Sequence, residues 1–366
     1  MPRSAPTAIS AIRFGALDVP LIEPFAIATG AQPTAQNVLV ELQLADGTRG
    51  YGEAAPFPAV TGETQASTLA ALAALRLVLV GRDVQEWRRL AAELKDAAQP
   101  AAAARCALET ALLDALTKRV HMPLWAFFGG ASTALETDMT ITAGSVAHAA
   151  QSARAIAGRG IGSIKIKIGG EQELDVDRIV AVHEAAPDAP LILDGNCGYD
   201  AERALQLLAE LRAQAIPVAL FEQPVTRYDL ANLARVTGEG GVLVAADESV
   251  TTAEDALRVA QMQASHVVNI KLMKAGVVEG LAIAAICRAA GIELMIGGMV
   301  ETLLAMNMSA HFAAGLGGFR FVDLDTPMFM AEQPFRGGWQ QTGGRLSVGH
   351  VAGGHGVEPI NITLND

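Results

Sequence analysis

Ile164-Lys165-Ile166-Lys167 is a short apolar run that closes on a charged residue, and six further runs downstream repeat the pattern at a nearly fixed interval. They close at Asp194, Glu222, Asp247, Lys271, Gly297 and Asp323, so that successive spacings from Lys167 are 27, 28, 25, 24, 26 and 26 residues. Each interval has room for one strand, one loop and one helix, and the period therefore predicts repeated βα units and a parallel sheet. The earlier run Thr137-Asp138-Met139-Thr140-Ile141-Thr142 brings the strands to eight, the number that closes a (β/α) barrel.

Outward from this repeat the chain changes character. Residues 7–53 carry short alternating segments such as Val38-Leu39-Val40-Glu41-Leu42-Gln43-Leu44, followed by the turn Ala45-Asp46-Gly47-Thr48, and predict an antiparallel meander. Residues 63–128 are rich in Ala and Leu at helical spacing, interrupted at Gln99-Pro100, and predict a helical cluster. The expected fold is α/β: a (β/α)7β TIM-like barrel over residues 131–340 beneath an N-terminal α+β capping domain over residues 1–130. Short strand-like pieces such as Arg345-Leu346-Ser347-Val348 are expected to return to the capping domain and complete it, over residues 341–366.

Composition bounds the function. With 366 residues, 51% hydrophobic and 18% charged, the chain has material for a large core and is too long for one ordinary domain. The formal charge of −12 and the lack of any Lys/Arg run exclude the basic footprint of a nucleic-acid partner. Cys106, Cys197 and Cys287 are odd in number and far apart, which fits a reducing compartment. No apolar stretch reads as a signal peptide or a membrane span, so a cytoplasmic protein without a membrane partner is expected.

In such barrels chemistry gathers at the carboxyl ends of the strands. Three consecutive strands, the third to the fifth, end in Asp194, Glu222 and Asp247. One strand-end acid is ordinarily solvated or paired with a neighbouring lysine; three in succession form a hard oxygen-donor site that suits Mg2+. Lys165 and Lys167, two apart, point to the same face, and Lys271 closes the sixth strand half a barrel away. A lysine then stands on either side of the space above the metal, placed to remove a proton from one face of a carbon and return one to the other. Basic action by Lys167 near neutral pH requires a destabilised ammonium, which Lys165 and the metal provide.

Asp323 and Asp325, two apart on the eighth strand, offer a paired negative site for an ammonium at the far end of the substrate. Thr140 faces inward in the same register, as a hydrogen-bond donor or simple polar lining. Gly298 and Met299 at the seventh strand end leave room for substrate backbone. The histidines show no metal-binding spacing, and His311 reads as structural.

The ordered segments Gly52-Glu53, Thr61-Gly62-Glu63-Thr64, K-x-K, D-x-N, E-Q-P, A-D-E-S, N-I-K-L-M-K-A-G and Asp323-Leu324-Asp325-Thr326-Pro327 resemble the muconate-lactonizing subgroup of the enolase superfamily, most closely its dipeptide epimerases. The resemblance runs over essentially the whole chain. It implies Asp194, Glu222 and Asp247 as ligands of one Mg2+ per subunit, Lys167 and Lys271 as acid/base groups, and a dipeptide substrate reacting through an ene-diolate. It further implies that Lys165 holds the substrate carboxylate and tunes Lys167, that Asn196 supports the metal shell, and that the protein is a homo-oligomer. Thr29 stands where some Ala-Glu epimerases of this family carry an Arg, which points away from an acidic substrate side chain. The same site also suits muconate cycloisomerisation, succinylbenzoate formation or N-acyl amino acid racemisation, whose substrates lack the free ammonium that Asp323 and Asp325 would bind. A non-catalytic binding protein on the same fold is the remaining alternative.

Overall fold

The computed structural model describes residues 5–27, 30–98, 100–362 and 364, so Thr29 lies outside the described residues. The meander is present as β1 (Ile9–Ile27), β2 (Gly30–Leu44) and β3 (Arg49–Ala54), one antiparallel sheet in that order. Helices Gln65–Leu79, Trp87–Ala97 and Ala102–Arg119 follow, and the third packs on β3. Small residues permit that approach: a Cβ at Gly50 or Gly52 would lie 2.0 Å from the carbonyl oxygen of Ala111 or Ala107.

After the short β4 (Ala134–Glu136), eight parallel strands follow in sequence order: β5 (Met139–Ile141), β6 (Ile164–Lys167), β7 (Leu191–Asp194), β8 (Val218–Glu222), β9 (Val244–Ala246), β10 (Val267–Lys271), β11 (Glu293–Gly297) and β12 (Phe319–Val322). The amide of Asp138 donates to the carbonyl of Val322 at 2.9 Å, bringing the first and last strands of this sheet together. Alternation on the strands sorts the residues. One set, including Ile164 and Ile166, joins the large core under the helices; the other, Ile192, Leu220, Ala245, Val267 and Met295, forms a separate apolar plug inside the barrel. Two residues further along the chain, four of these five positions turn polar, at Asp194, Glu222, Asp247 and Asn269, and the fifth is Gly297.

β13 (Phe335–Gly337) pairs with β16 (Val357–Pro359), and β14 (Gln340–Thr342) with β15 (Arg345–Ser347). β15 also pairs with β4, not with the β1–β3 sheet. The C-terminal segment reaches the N-terminal elements further on, where the amide of Leu124 donates to Gly354 O at 2.9 Å and that of His355 to Asp114 Oδ1 at 2.9 Å.

Glu53, at the end of β3, crosses to the barrel. Its carboxylate accepts from the amide and hydroxyl of Thr302, at 2.9 and 2.6 Å, and from the amide of Ala305 at 3.1 Å, in the first turn of helix Leu303–Leu316. Free amides and the helix dipole make that end favourable for an anion. Asn37 bonds both Glu53 and the carbonyl of Val300, so the loop after β11 is held from the N-terminal sheet. Among the described residues no helix is long and apolar enough to cross a membrane.

Candidate active site

Register places the polar strand ends side by side. Lys167 lies opposite Asp194, and Asp194 opposite Glu222, on adjacent strands. Lys165 Nζ is fully buried, 3.0 Å from Asp194 Oδ2, 2.7 Å from Glu222 Oε2 and 2.7 Å from Asp323 Oδ2. Lys167 Nζ is 2.6 Å from Asp194 Oδ2, and 5.8 Å from the centre of the Phe25 ring. Across the barrel, Lys271 Nζ is 2.7 Å from Asp247 Oδ2. Asn196, with a left-handed φ of 40°, donates its amide to Asp194 Oδ1 and its side chain to Glu248 Oε1, at 3.1 and 3.4 Å.

A cavity opens above this layer. Lys167, Lys271, Asn196, Thr140, Asp323, Asp325, Gly298 and Met299 all line it, with Phe25, Phe57 and Val60 covering it from the N-terminal elements. Lys165 and the carboxylates of Asp194, Glu222 and Asp247 lie beneath the lining, buried. Asp323 is engaged from below by Lys165; Asp325 accepts the Thr140 amide at 2.6 Å on Oδ2, while its Oδ1 has no hydrogen-bond partner. A wider open groove lies elsewhere, lined by Gln263, His266 and Glu293, away from these residues.

Several residues at the site were not singled out from the sequence. Asp138 sits with Asp323 and Asp325, one oxygen from each within 4.8 Å of the others, and neither of its own oxygens has a hydrogen-bond partner. Asn269 donates to Glu222 Oε1 at 2.7 Å. Strand alternation carried a signal for both, since Asp138 lies two before Thr140 and Asn269 two before Lys271. Glu248, Lys274 and Glu301 sit beyond the strands, where alternation says nothing. Lys274 Nζ is 2.5 Å from Asp247 Oδ1, and Glu301 accepts the amide of Met299 at 2.7 Å.

The buried acids Asp138, Asp194, Glu222, Asp247, Glu248, Glu301, Asp323 and Asp325 outnumber Lys165, Lys167, Lys271 and Lys274. Burial opposes ionisation of Asp194 and Asp247, yet the surrounding lysines hold both well below the usual carboxylate range. Burial, with the charge of Asp194, pushes Glu222 up to about 8. Burial, with the charge of Asp323, pushes Asp325 up to about 7. Burial opposes the Lys271 ammonium, but Asp247 and Glu222 raise it above the ordinary lysine value.

The donor set consists of oxygens alone, from Asp194 and Glu222 at the ends of β7 and β8 and from Asp247 one residue past the end of β9. Oε2 of Glu248 and Oδ1 of Asn196 are buried beside it with no hydrogen-bond partner. An excess of buried carboxylate with unpartnered oxygens suits a hard divalent cation such as Mg2+.

These shifts predict a pH dependence. Burial pushes Glu301, like Glu222, up to about 8, so below that pH the native state keeps protons that an unfolded chain has released. The native state then binds more protons, and stability falls as pH rises through the window. Buried His311 and His355, both held low chiefly by burial, act in the opposite sense, but only below their ordinary 6.5. Between about pH 7 and about 8.5 the Tm of the cation-free protein should therefore fall. A flat or rising Tm there would contradict the buried-acid assignment.

Residues 11–129 match the model of the mandelate racemase/muconate lactonizing enzyme N-terminal domain, and residues 147–361 that of the enolase C-terminal domain-like family. The chain is 61% identical over 353 residues to an aromatic dipeptide epimerase of Herpetosiphon aurantiacus, covering 96% of this chain and 99% of that one. It is 33% identical over 334 residues to the L-Ala-D/L-Glu epimerase of Bacillus subtilis, covering 90% and 91%. Among solved structures it is similar to the Enterococcus faecalis dipeptide epimerase complexed with Mg and the dipeptide L-Leu-L-Tyr. That match has a TM-score of 0.92 and 33% identity, over 96% of this chain and 99% of that one.

Proposed function

This chain belongs to the mandelate racemase/muconate lactonizing enzyme family, and we infer that its reaction is Mg2+-dependent dipeptide epimerisation. The α-carbon of the C-terminal residue is inverted by 1,1-proton transfer through an ene-diolate. The observation that carries this reading is the pair of lysines, Lys167 and Lys271, on one cavity above a layer of strand-end carboxylates and beside Asp323 and Asp325.

Asp194, Glu222 and Asp247 would hold the Mg2+. When bound, it would offset the second negative charge that develops on the substrate carboxylate, and Asp247 and Glu222, engaged as its ligands, would hold the proton on Lys271 less firmly. Lys167 and Lys271 exchange the α-proton from opposite faces. Lys165, buried beneath them, supplies fixed positive charge toward the substrate carboxylate. Asp325, through its unpartnered Oδ1, and Asp323 receive the N-terminal ammonium, with Thr140 holding Asp325 in place.

The side chain of the inverted residue is aromatic or aliphatic. Phe25, Phe57, Val60, Met299 and Met306 supply apolar lining, and among the described lining residues there is no arginine to meet a carboxylate. The aromatic dipeptide epimerase at 61% identity supports the same substrate class.

The test is a mixed dipeptide library in D2O with Mg2+, read by mass. One deuteron should enter dipeptides with apolar C-terminal residues, at least as fast as Ala-Glu, and N-acetylated analogues should stay unlabelled. Equal labelling of acetylated compounds would replace this reading with N-acyl amino acid racemisation. Strict preference for Ala-Glu would overturn the side-chain assignment.

A further inference from the structure

Lys274 has no task in the reaction as proposed above, yet it is buried against the same carboxylate as Lys271. β10 does not run directly into its long helix. Leu272–Ala275 first makes a single helical turn, and helix Val277–Ala289 follows after Gly276. Residues three apart on a turn share a face, so the two lysines reach Asp247 together. Lys271 Nζ lies 2.7 Å from Oδ2. Lys274 Nζ lies 2.5 Å from Oδ1, 2.5 Å from the Asp247 carbonyl and 3.3 Å from the Asn269 carbonyl.

The turn is also held from the N-terminal elements. The amide of Ala55 donates to Met273 Sδ at 3.2 Å, and Arg105, on helix Ala102–Arg119, donates to the carbonyl of Ala275. Lys271 lines the cavity, and Lys274 does not.

We propose that Lys274 is a positioning residue that fixes Asp247 through Oδ1 and thereby leaves Lys271, tied through Oδ2, releasable toward the substrate. Two ammoniums share one carboxylate, so each draws on charge that would otherwise hold the other. Remove Lys274 and the whole charge of Asp247 falls to Lys271, while the carboxylate is free to turn both oxygens toward it. The inference rests on the epimerase reading. It adds that the turn anchored by Ala55 and Arg105 sets how available one of the two lysines is.

The test compares α-proton exchange of the two epimers. K167A and K271A first identify which epimer each lysine serves. In K274M, exchange of the Lys271-dependent epimer should fall about tenfold or more, and that of the Lys167-dependent epimer should stay within about threefold, which also reports that the variant is folded. Mg2+ binding, measured by calorimetry without substrate, should be at least as tight in K274M, because a like charge beside the ligand Asp247 has been removed. If K274M is recovered unfolded, R105K carries the comparison, and the same epimer should lose exchange preferentially.

Equal loss on both epimers, no loss on either, or Mg2+ binding weakened about tenfold or more in K274M would overturn the proposal; the last result would make Lys274 a builder of the metal site. Wild-type protein that neither binds Mg2+ nor exchanges any dipeptide would overturn the epimerase reading, and the proposal with it.

Discussion

Alanine at Lys167 or at Lys271 should stop net epimerisation, each lowering kcat by roughly 10^3 or more, while exchange of one epimer's α-proton survives in each variant. The expectation follows from where the strands put the side chains. β6 and β10 are separated by three strands in an eight-strand series, so their ends stand on opposite walls of the cavity. A substrate carbon between them has one face toward each. Lys165 cannot substitute for either, because its Nζ is fully buried among Asp194, Glu222 and Asp323 below the lining. Inversion needs both faces, whereas exchange needs one. Incubation of each pure epimer in D2O separates the two readouts, since label gained without change of configuration reports a single working lysine. Normal epimerisation by K271A would sink the two-base mechanism.

The same strands show what was open to reading in the amino-acid order. Lys167, Asp194, Glu222 and Lys271 each close an apolar run, and in a barrel that position faces the chemistry whatever the helices between do. The register adds Lys165 and Thr140 by alternation, and both lie at the site; Asp323 and Asp325, expected on the eighth strand, instead follow β12, which ends at Val322, with Asp325 opening the short helical turn Thr326–Phe329, and both still line the cavity. Asp138 and Asn269 obey the same rule but sit one step deeper, where the expected occupant is apolar packing such as Ile192 or Met295. Residues beyond the strand ends follow no period. Lys274 depends on an inserted turn, Glu248 on the chain turning back after Asp247, and Glu301 on a loop fixed by Glu53 and Asn37 from a distant sheet. Such positions are set by tertiary contacts more than two hundred residues apart in sequence for the Glu53–Thr302 pair, which no local pattern encodes. β15 departs from expectation for a related reason. β15 is paired with β14 on one side, and its other, open edge takes β4, at the start of the barrel, making β15 the central strand of a small separate sheet.

Glu222→Gln should leave the fold intact and remove the response to Mg2+. Burial and the charge of Asp194 push Glu222 up to about 8, so near neutral pH without a cation this side chain is largely protonated. A glutamine resembles the protonated acid in shape and charge, with one acceptor oxygen for the Asn269 amide that lies 2.7 Å from Oε1. The cation-free variant should therefore match or exceed wild type in Tm at about pH 8.5, and lose less Tm than wild type between about 7 and 8.5, because one group that released its proton there is gone. Mg2+ should raise the Tm of wild type, more at the higher pH where no proton has to leave Glu222, and barely move that of the variant. The loss of a charged ligand should also cost roughly 10^3 or more in kcat, since Lewis-acid stabilisation of the developing charge is worth several kcal/mol. Excess EDTA should do the same to wild type, reversibly on adding Mg2+. A glutamine variant whose Tm still rises with Mg2+ as wild type does would place the cation elsewhere. The acids Asp138, Asp323 and Asp325 are the nearest competing cluster, and the doubly substituted D138N/D323N protein would then be the one to lose the Mg2+ response.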